Sequence, residues 1–301
     1  PFGMKLSAVT STLSNATVSG PSGTPASLSI ALSGQPDAGE KITLTFGLPD
    51  GTTAKIELAA GDETDASKNT FQIGATAADT ADNLKSLIDQ KIQTLAKTDL
   101  VAASAVQAGN EFFATENGGA PLRVDGPPFD TATTLSADTS YANTVQWYTG
   151  TNDASSARGD VTARVDTSVT VSYGMRANEQ AFSWALRQMA VLASVDVSGG
   201  TANDSEVHTQ LLIRTKGNLG VPDGVESIAA VQVEFAGAAQ AATQASSRHE
   251  AMAATYQAVV DDTINTDQTE VATKLLALQT QMQASYQATS ILYKMTLTDY
   301  M

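Results

Sequence analysis

The dipeptide His249-Glu250 could open the H-E-x-x-H helix of zinc proteases, in which two histidines one turn apart hold the metal and the glutamate acts as base. The second histidine is missing, because Ala253 occupies its place and the only other histidine is His208. The pair therefore reads as polar residues in a helix seam. Asp261, Asp262, Asn265, Asp267 and Glu270 form an acidic turn with the flavour of a calcium loop. The glycine such a loop needs at its sixth position is Thr266, so the segment reads as a helix–helix connection capped by Asn265-Thr266-Asp267. Trp147-Tyr148 and Trp184 could stack on sugar rings, but core or interface packing is the plainer role for them. No G-x-S-x-G, P-loop or dinucleotide fingerprint occurs, and the absence of cysteine removes disulfides, thiolate metal sites and thiol nucleophiles. No catalytic, cofactor-binding or metal residue is assigned, and the chain does not read as an enzyme.

The bulk composition narrows the partners. A net charge of −15, with the 17 Lys and Arg scattered, argues against nucleic acid and against anionic lipid. No apolar run is long enough for a membrane span, and no basic segment followed by an apolar stretch marks a cleavable secretion signal. Hydrophobic residues make up 42% of the chain but aromatics only 6%, and much of the remainder is alanine. Such a composition suits long, closely packed helices better than a broad core.

Positioning any of these residues falls to two kinds of element. Lys5 to Ala26 is rich in Ser, Thr, Gly and Pro and reads as a strand-prone lead-in or linker. Leu28, Ile30 and Leu32 then alternate with polar residues, as do Ile42, Leu44 and Phe46, and Ile56 and Leu58 beyond the turn Pro49-Asp50-Gly51-Thr52. Period two on both sides of such a turn predicts a hairpin. A short strand is expected over Thr70 to Ile73, and a helix from Ala78-Asp79-Thr80 with Leu84, Leu87, Ile88, Ile92 and Leu95 on one face. Leu100–Val106 and Glu111–Thr115 read as two further strands, which gives an α+β module with one helix covering an antiparallel sheet. After a loop-rich stretch over 117–160, Arg164–Tyr173 reads as a strand and Ala177–Val195 as a helix. That helix should bury Phe182, Leu186, Met189 and Leu192 (or Val191). Asn203–Lys216 is the next predicted helix, closed by Gly217.

From Val225 onward the pattern changes. Ile228, Val231, Phe235, Ala238, Ala242, Ala245, His249, Met252, Tyr256 and Val259 recur in steps of three and four. Val271, Leu275, Leu278, Met282, Ser285, Thr289 and Leu292 repeat the step after the acidic turn, with Tyr286 beside them. Spacing of this kind predicts helices built to lie along other helices. Leu276, Ile291, Tyr293 and Met295 add apolar surface off the main stripe, so more than one partner is expected. The chain begins at Pro1-Phe2-Gly3, and an N-terminal helical segment is expected to precede it as part of the cover for this rod.

The stretch Val271-Ala272-Thr273-Lys274-Leu275-Leu276-Ala277-Leu278-Gln279-Thr280-Gln281-Met282-Gln283-Ala284-Ser285-Tyr286-Gln287-Ala288 resembles the C-terminal helix of bacterial flagellins. The ending Leu297-Thr298-Asp299-Tyr300-Met301 is similar to that of hook–filament junction proteins of the same family. Val169-Thr170-Val171-Ser172-Tyr173-Gly174 leading into Asn178-Glu179 resembles alphaproteobacterial members, and the module with Ile42-Thr43-Leu44-Thr45-Phe46 resembles their variable outer insert. The family's N-terminal helical region is absent from this sequence. The resemblance implies a structural subunit of the flagellar filament or hook junction, extracellular and exported without a cleaved signal. It also implies partners: copies of itself, flagellin, hook-associated proteins, and an export apparatus or chaperone.

The expected organisation is a lead-in over 1–26, a β-rich outer module over 27–145, a strand-plus-helices connection over 146–222 and a long-helix assembly domain over 223–301. Its expected assembly residues are Ile228, Val231, Phe235, Met252, Tyr256, Val271, Leu275, Leu278, Met282, Tyr286 and Leu292. The alternative reading is a surface adhesive or glycan-binding module carried on a structural stalk.

Overall fold

A computed structural model describes residues 2–115, 120–137, 140, 145–220, 224–264 and 267–298, the last few as backbone only. Expectations placed on Gly118-Gly119, on Val221-Pro222-Asp223, on Asn265-Thr266, on the side chain of Met295 and on Asp299-Tyr300-Met301 lie outside the described residues. The fold is α+β, with small, mainly antiparallel sheets followed by helices, the last two of them long. The chain divides into two units, one of residues 1–162 and 172–235, the other of residues 163–171 and 236–301.

The first unit is built on a four-stranded sheet in the order β1 (Lys5–Ser11), β4 (Lys41–Gly47), β5 (Thr53–Gly61), β6 (Thr70–Gln72). The β4–β5 hairpin follows the period-two pattern. Ile42 faces Leu58, Leu44 faces Ile56 and Phe46 faces Ala54, all on the buried face, so large side chains meet small or branched ones. Gly51 supplies the positive φ of the turn, and Asp50 accepts hydrogen bonds from the N–H of Thr52 (3.0 Å) and its hydroxyl (2.6 Å). Residues 5–26, expected as a strand-prone lead-in or linker, carry two strands. β1 joins the sheet, while β2 (Ala16–Ser22) pairs with β3 (Ser27–Leu32) as a separate hairpin.

Two helices, not one, pack on this framework. α1 (Ala77–Lys97) begins one residue before the expected Ala78, with Thr76 and Asp79 forming a reciprocal capping box, and buries Leu84, Leu87 and Leu95. The two strands expected over 100–106 and 111–115 are instead a single helix, α2 (Asp99–Phe112). Ala102, Ala103, Ala105 and Ala108 favour helix here, and short apolar runs do not by themselves distinguish the two periods. β7 (Leu122–Val124) and β8 (Leu135–Ala137) make a small hairpin inside the stretch read as loop.

Beyond it come α3 (Gln180–Ser194) and α4 (Ala202–Asn218). They pack on α2 around Ala102, Val106, Val191, Val207 and Leu211. α3 is rotated from the expected face. It buries Ala181, Ser183, Arg187, Gln188 and Val191, whereas Leu186, Met189 and Leu192 are exposed and Phe182 is half-buried. The reason is the neighbouring surface: α2 offers Gly109, and Val191 and the stem of Arg187 close over it. Arg214 of α4 then reaches Asp50 at 3.0 Å and Asp99 at 3.6 Å, tying the β4–β5 turn and the start of α2 to the helical layer.

The strand expected over Arg164–Tyr173 is broken into β9 (Thr162–Arg164) and β10 (Thr170–Ser172), a hairpin closed by Asp166 and Val169. The long helices are α5 (Ile228–Ile264) and α6 (Gln268–Thr298).

A methyl group at Gly109 would stand 2.4 Å from Cγ2 of Val191, a stiff β-branched side chain with nowhere to go. Gly109→Ala is therefore expected to destabilise the protein by ~1–3 kcal/mol, although the same change at an open helical site is stabilising. A lowered midpoint in urea unfolding with an unchanged m-value checks this; a raised midpoint would mean that the helices do not meet at Gly109.

Candidate functional site

In the first unit the densest polar chemistry gathers around two arginines that sequence reasoning did not single out. Arg176 is buried. Its Nε and Nη2 donate to the two carboxylate oxygens of Asp160 at 2.5 and 2.6 Å, a bidentate pair, and its Nη1 reaches Asp153 at 2.9 Å. Its remaining donors go to Ser155, at 3.2 Å to the carbonyl and 2.9 Å to the hydroxyl. Arg158 donates to Glu179 at 2.7 Å, to the carbonyl of Gly174 at 2.7 Å and to Glu234 at 2.5 Å, and lies 5.1 Å from the ring centroid of Phe235. The guanidinium groups thus hold the loop between α2 and α3 and the first turns of α5 together. With every arginine met by carboxylates, the cluster has no free cationic group for an anionic ligand. The partners lie 16 to 76 residues apart in sequence, so no local spacing could have shown them.

Ile228, Val231 and Phe235 fall in this unit. Val231 is buried and Phe235 half-buried under Arg158, on the face from which Arg158 also reaches Glu234 one residue earlier. Their apolar surface is largely used within the chain, whereas Ile228 is exposed.

The second unit is different in kind. Ala245 is buried and Ala238, Ala241 and Ala242 are half-buried, all small enough for close approach of another backbone. The tip of the β9–β10 hairpin is fastened to the next turn of α5: Arg248 donates to Asp166 at 3.0 Å, and Nε2 of His249 lies 3.0 Å from the carbonyl of Val165. His249, the residue that opened the zinc motif, is thus a hairpin anchor. From Ser246 onward every described side chain is exposed. Met252 and Tyr256 on α5, and Val271, Leu275, Leu278, Met282, Tyr286 and Leu292 on α6, stand between 42% and 71% exposed. Leu276 and Ile291, which helical periodicity places on the other side of α6, are as bare at 62% and 58%.

The acidic turn resolves as a cap. Asp267 accepts from the N–H of Thr269 at 2.8 Å, which holds its carboxyl below the usual range, and Glu270 pairs with Lys274 at 2.7 Å. Trp147 packs on Phe113 and Tyr148 with ring centroids 4.9 and 5.7 Å away. Trp184 donates its ring N–H to the carbonyl of Asn218 at 2.5 Å and carries Arg187 over its face. Among the described residues no group of three or more His, Asp or Glu could hold a metal ion, and no helix is long and apolar enough to cross a membrane. Comparison with models of protein families, with curated proteins and with solved structures found no match to this chain.

Asp160 is held below the usual carboxylate range by Arg176, and Asp153 by the Ser155 hydroxyl and then Arg176. The folded state therefore binds these protons more weakly than the unfolded chain. Their stabilisation is complete above the unfolded value near ~3.9 and is lost as pH falls through the lowered folded values. The Nε–H resonance of Arg176 should be sharp and slowly exchanging from neutral pH through the ordinary carboxylate range, and should collapse only as pH falls through the lowered value of Asp160. In Asp160→Asn it should be weak at neutral pH already. A resonance indifferent to both changes would show that the ion pair does not hold the loop.

Proposed function

We propose that this chain is a structural subunit that assembles through its C-terminal helices, and that it serves as a flagellin-like filament subunit or hook–filament junction protein outside the bacterial cell. The observation that carries the reading is the bare second half of α5 and the whole described length of α6. An isolated helix is marginal in water, and most helical stability in proteins comes from covering an apolar face. At 1.5 Å per residue α6 would extend ~45 Å, and each large apolar side chain that becomes buried would contribute ~1.5–3 kcal/mol. Apolar groups on opposite sides of α6 call for more than one neighbour. A contact that is heterologous and does not close on itself repeats into a filament. The resemblance of residues 271–288 to the terminal helix of flagellins supplies the biological setting. In that setting the partners are other copies, related flagellar subunits and an export apparatus. The polar clusters are fully engaged in holding loops, which fits a scaffold better than a catalyst.

Removing residues 265–301 should abolish polymerisation while leaving the melting of the β-rich unit unchanged. The paired change Leu275→Asp and Met282→Asp should do the same without shortening the chain. Electron microscopy of seeded protein reads both, and normal filaments from either variant would overturn the proposal.

A further inference from the structure

The β2–β3 hairpin is a sheet of its own, and its residues Val18, Leu28 and Ile30 reach the core without filling the space behind them. A cleft of about 530 Å³ lies between β3, the inner face of β1 and β4, and α1. Its floor is core: Leu44, Phe46 and Leu84 are buried. Its walls are Leu6, Leu28 and Ile30 on the strands and Ile88 and Ile92 on the helix, all half-buried and sharing one void. The base of the hairpin is pinned. Glu40 accepts from the N–H and hydroxyl of Ser14 at 2.7 and 2.8 Å, and Asn15 donates to the carbonyl of Gln35 at 3.0 Å. The hairpin wall is therefore fixed at one end and cannot simply be drawn onto α1 along its whole length.

The volume falls in the range of small-molecule sites, about 300–1,000 Å³. Ordered water requires two to four polar partners, and the side chains of Leu6, Leu28, Ile30, Ile88 and Ile92 offer none, so an apolar body is the fitting occupant of the inner cleft. The rim selects its head. Lys85 pairs with Asp89 at 2.6 Å and also lies in the field of Asp82, which is exposed at the mouth, so two carboxylates face one ammonium and the rim is negative on balance. We propose that this cleft binds a small amphiphile whose hydrocarbon body lies between the hairpin and α1 and whose head is a cationic amine facing Asp82. The site is independent of the helical assembly surface.

The test uses the full chain and the neutral fluorophore N-phenyl-1-naphthylamine, with dodecylamine and laurate as competitors below their micelle concentrations. Saturable brightening at one site per chain is expected, displaced several-fold more readily by dodecylamine than by laurate. Leu28→Trp and Ile30→Trp, which fill the cleft, should each weaken binding about tenfold or more. Leu275→Asp with Met282→Asp should leave it unchanged, which separates this site from the exposed helices. Asp82→Lys should invert the preference between the two competitors. Should the tryptophan variants fold poorly, methyl resonances of the unaltered protein decide: dodecylamine should shift Ile30, Ile88 and Ile92 selectively. Fluorophore binding that survives both filling variants, that is lost with the α6 changes, or that laurate displaces as well as dodecylamine would overturn the proposal, as would unmoved methyl signals.

Discussion

An apolar side chain on a helix stabilises it only when something lies against it, and in this molecule that condition divides the chain in two. Up to Ala245 each helix has cover: α1 on the sheet, α2, α3 and α4 on one another, and the start of α5 under Arg158 and beside the β9–β10 hairpin. Past Ala245 the helical periodicity continues but the cover ends. The same heptad-like spacing thus has two physical outcomes, closed contacts in the first part of α5 and open ones in the rest of α5 and in α6. An open stripe of this length is a binding free energy held in reserve, since area still in water is area that a partner can remove from it.

The covered part relies on ion pairs where a larger core would rely on packing. With few aromatics available, Arg158 and Arg176 join separate segments by several charge-assisted hydrogen bonds each, and Arg214 does so by one to Asp50 and an ion pair with Asp99. Such pairs specify geometry more than they add stability, because desolvation offsets much of their attraction. Their effect is to fix the loop before α3 and the entry of α5. In the second unit, Arg248 and His249 do the same for the hairpin tip. Polar anchoring at the root of a bare helix leaves its apolar face unused.

Legibility in the sequence followed how local the deciding interaction was. The β4–β5 hairpin could be read because alternation and an Asp-Gly turn act within a few residues. The run of helix from Ile228 could be read because its period persists over many turns. α2 is not legible as a helix because a short apolar run carries too little period information, and its four alanines are the only local signal for helix. The buried face of α3 was misread for another reason: its own apolar residues point to Leu186 and Met189, but the face is chosen by the glycine groove on α2. β1 and β2 show in the sequence only as a strand-prone stretch, since their residues are mostly polar and small, and pairing partners rather than propensity fix their bounds.

The sequence alone settled the α+β character, the strand alternation of the module and the helical nature of the last third, because these rest on periodicities of two and of three to four residues. It also marked the apolar positions of the rod. Only the tertiary structure decided which of those positions are spent inside the chain and which stay bare, that Val231 and Ala245 belong to the first group and Leu275 and Met282 to the second. It alone matched each arginine to carboxylates distant in sequence and left an unfilled cleft behind the β2–β3 hairpin. Burial and pairing are properties of neighbours in space, and a linear pattern shows what a residue could cover without showing whether anything covers it.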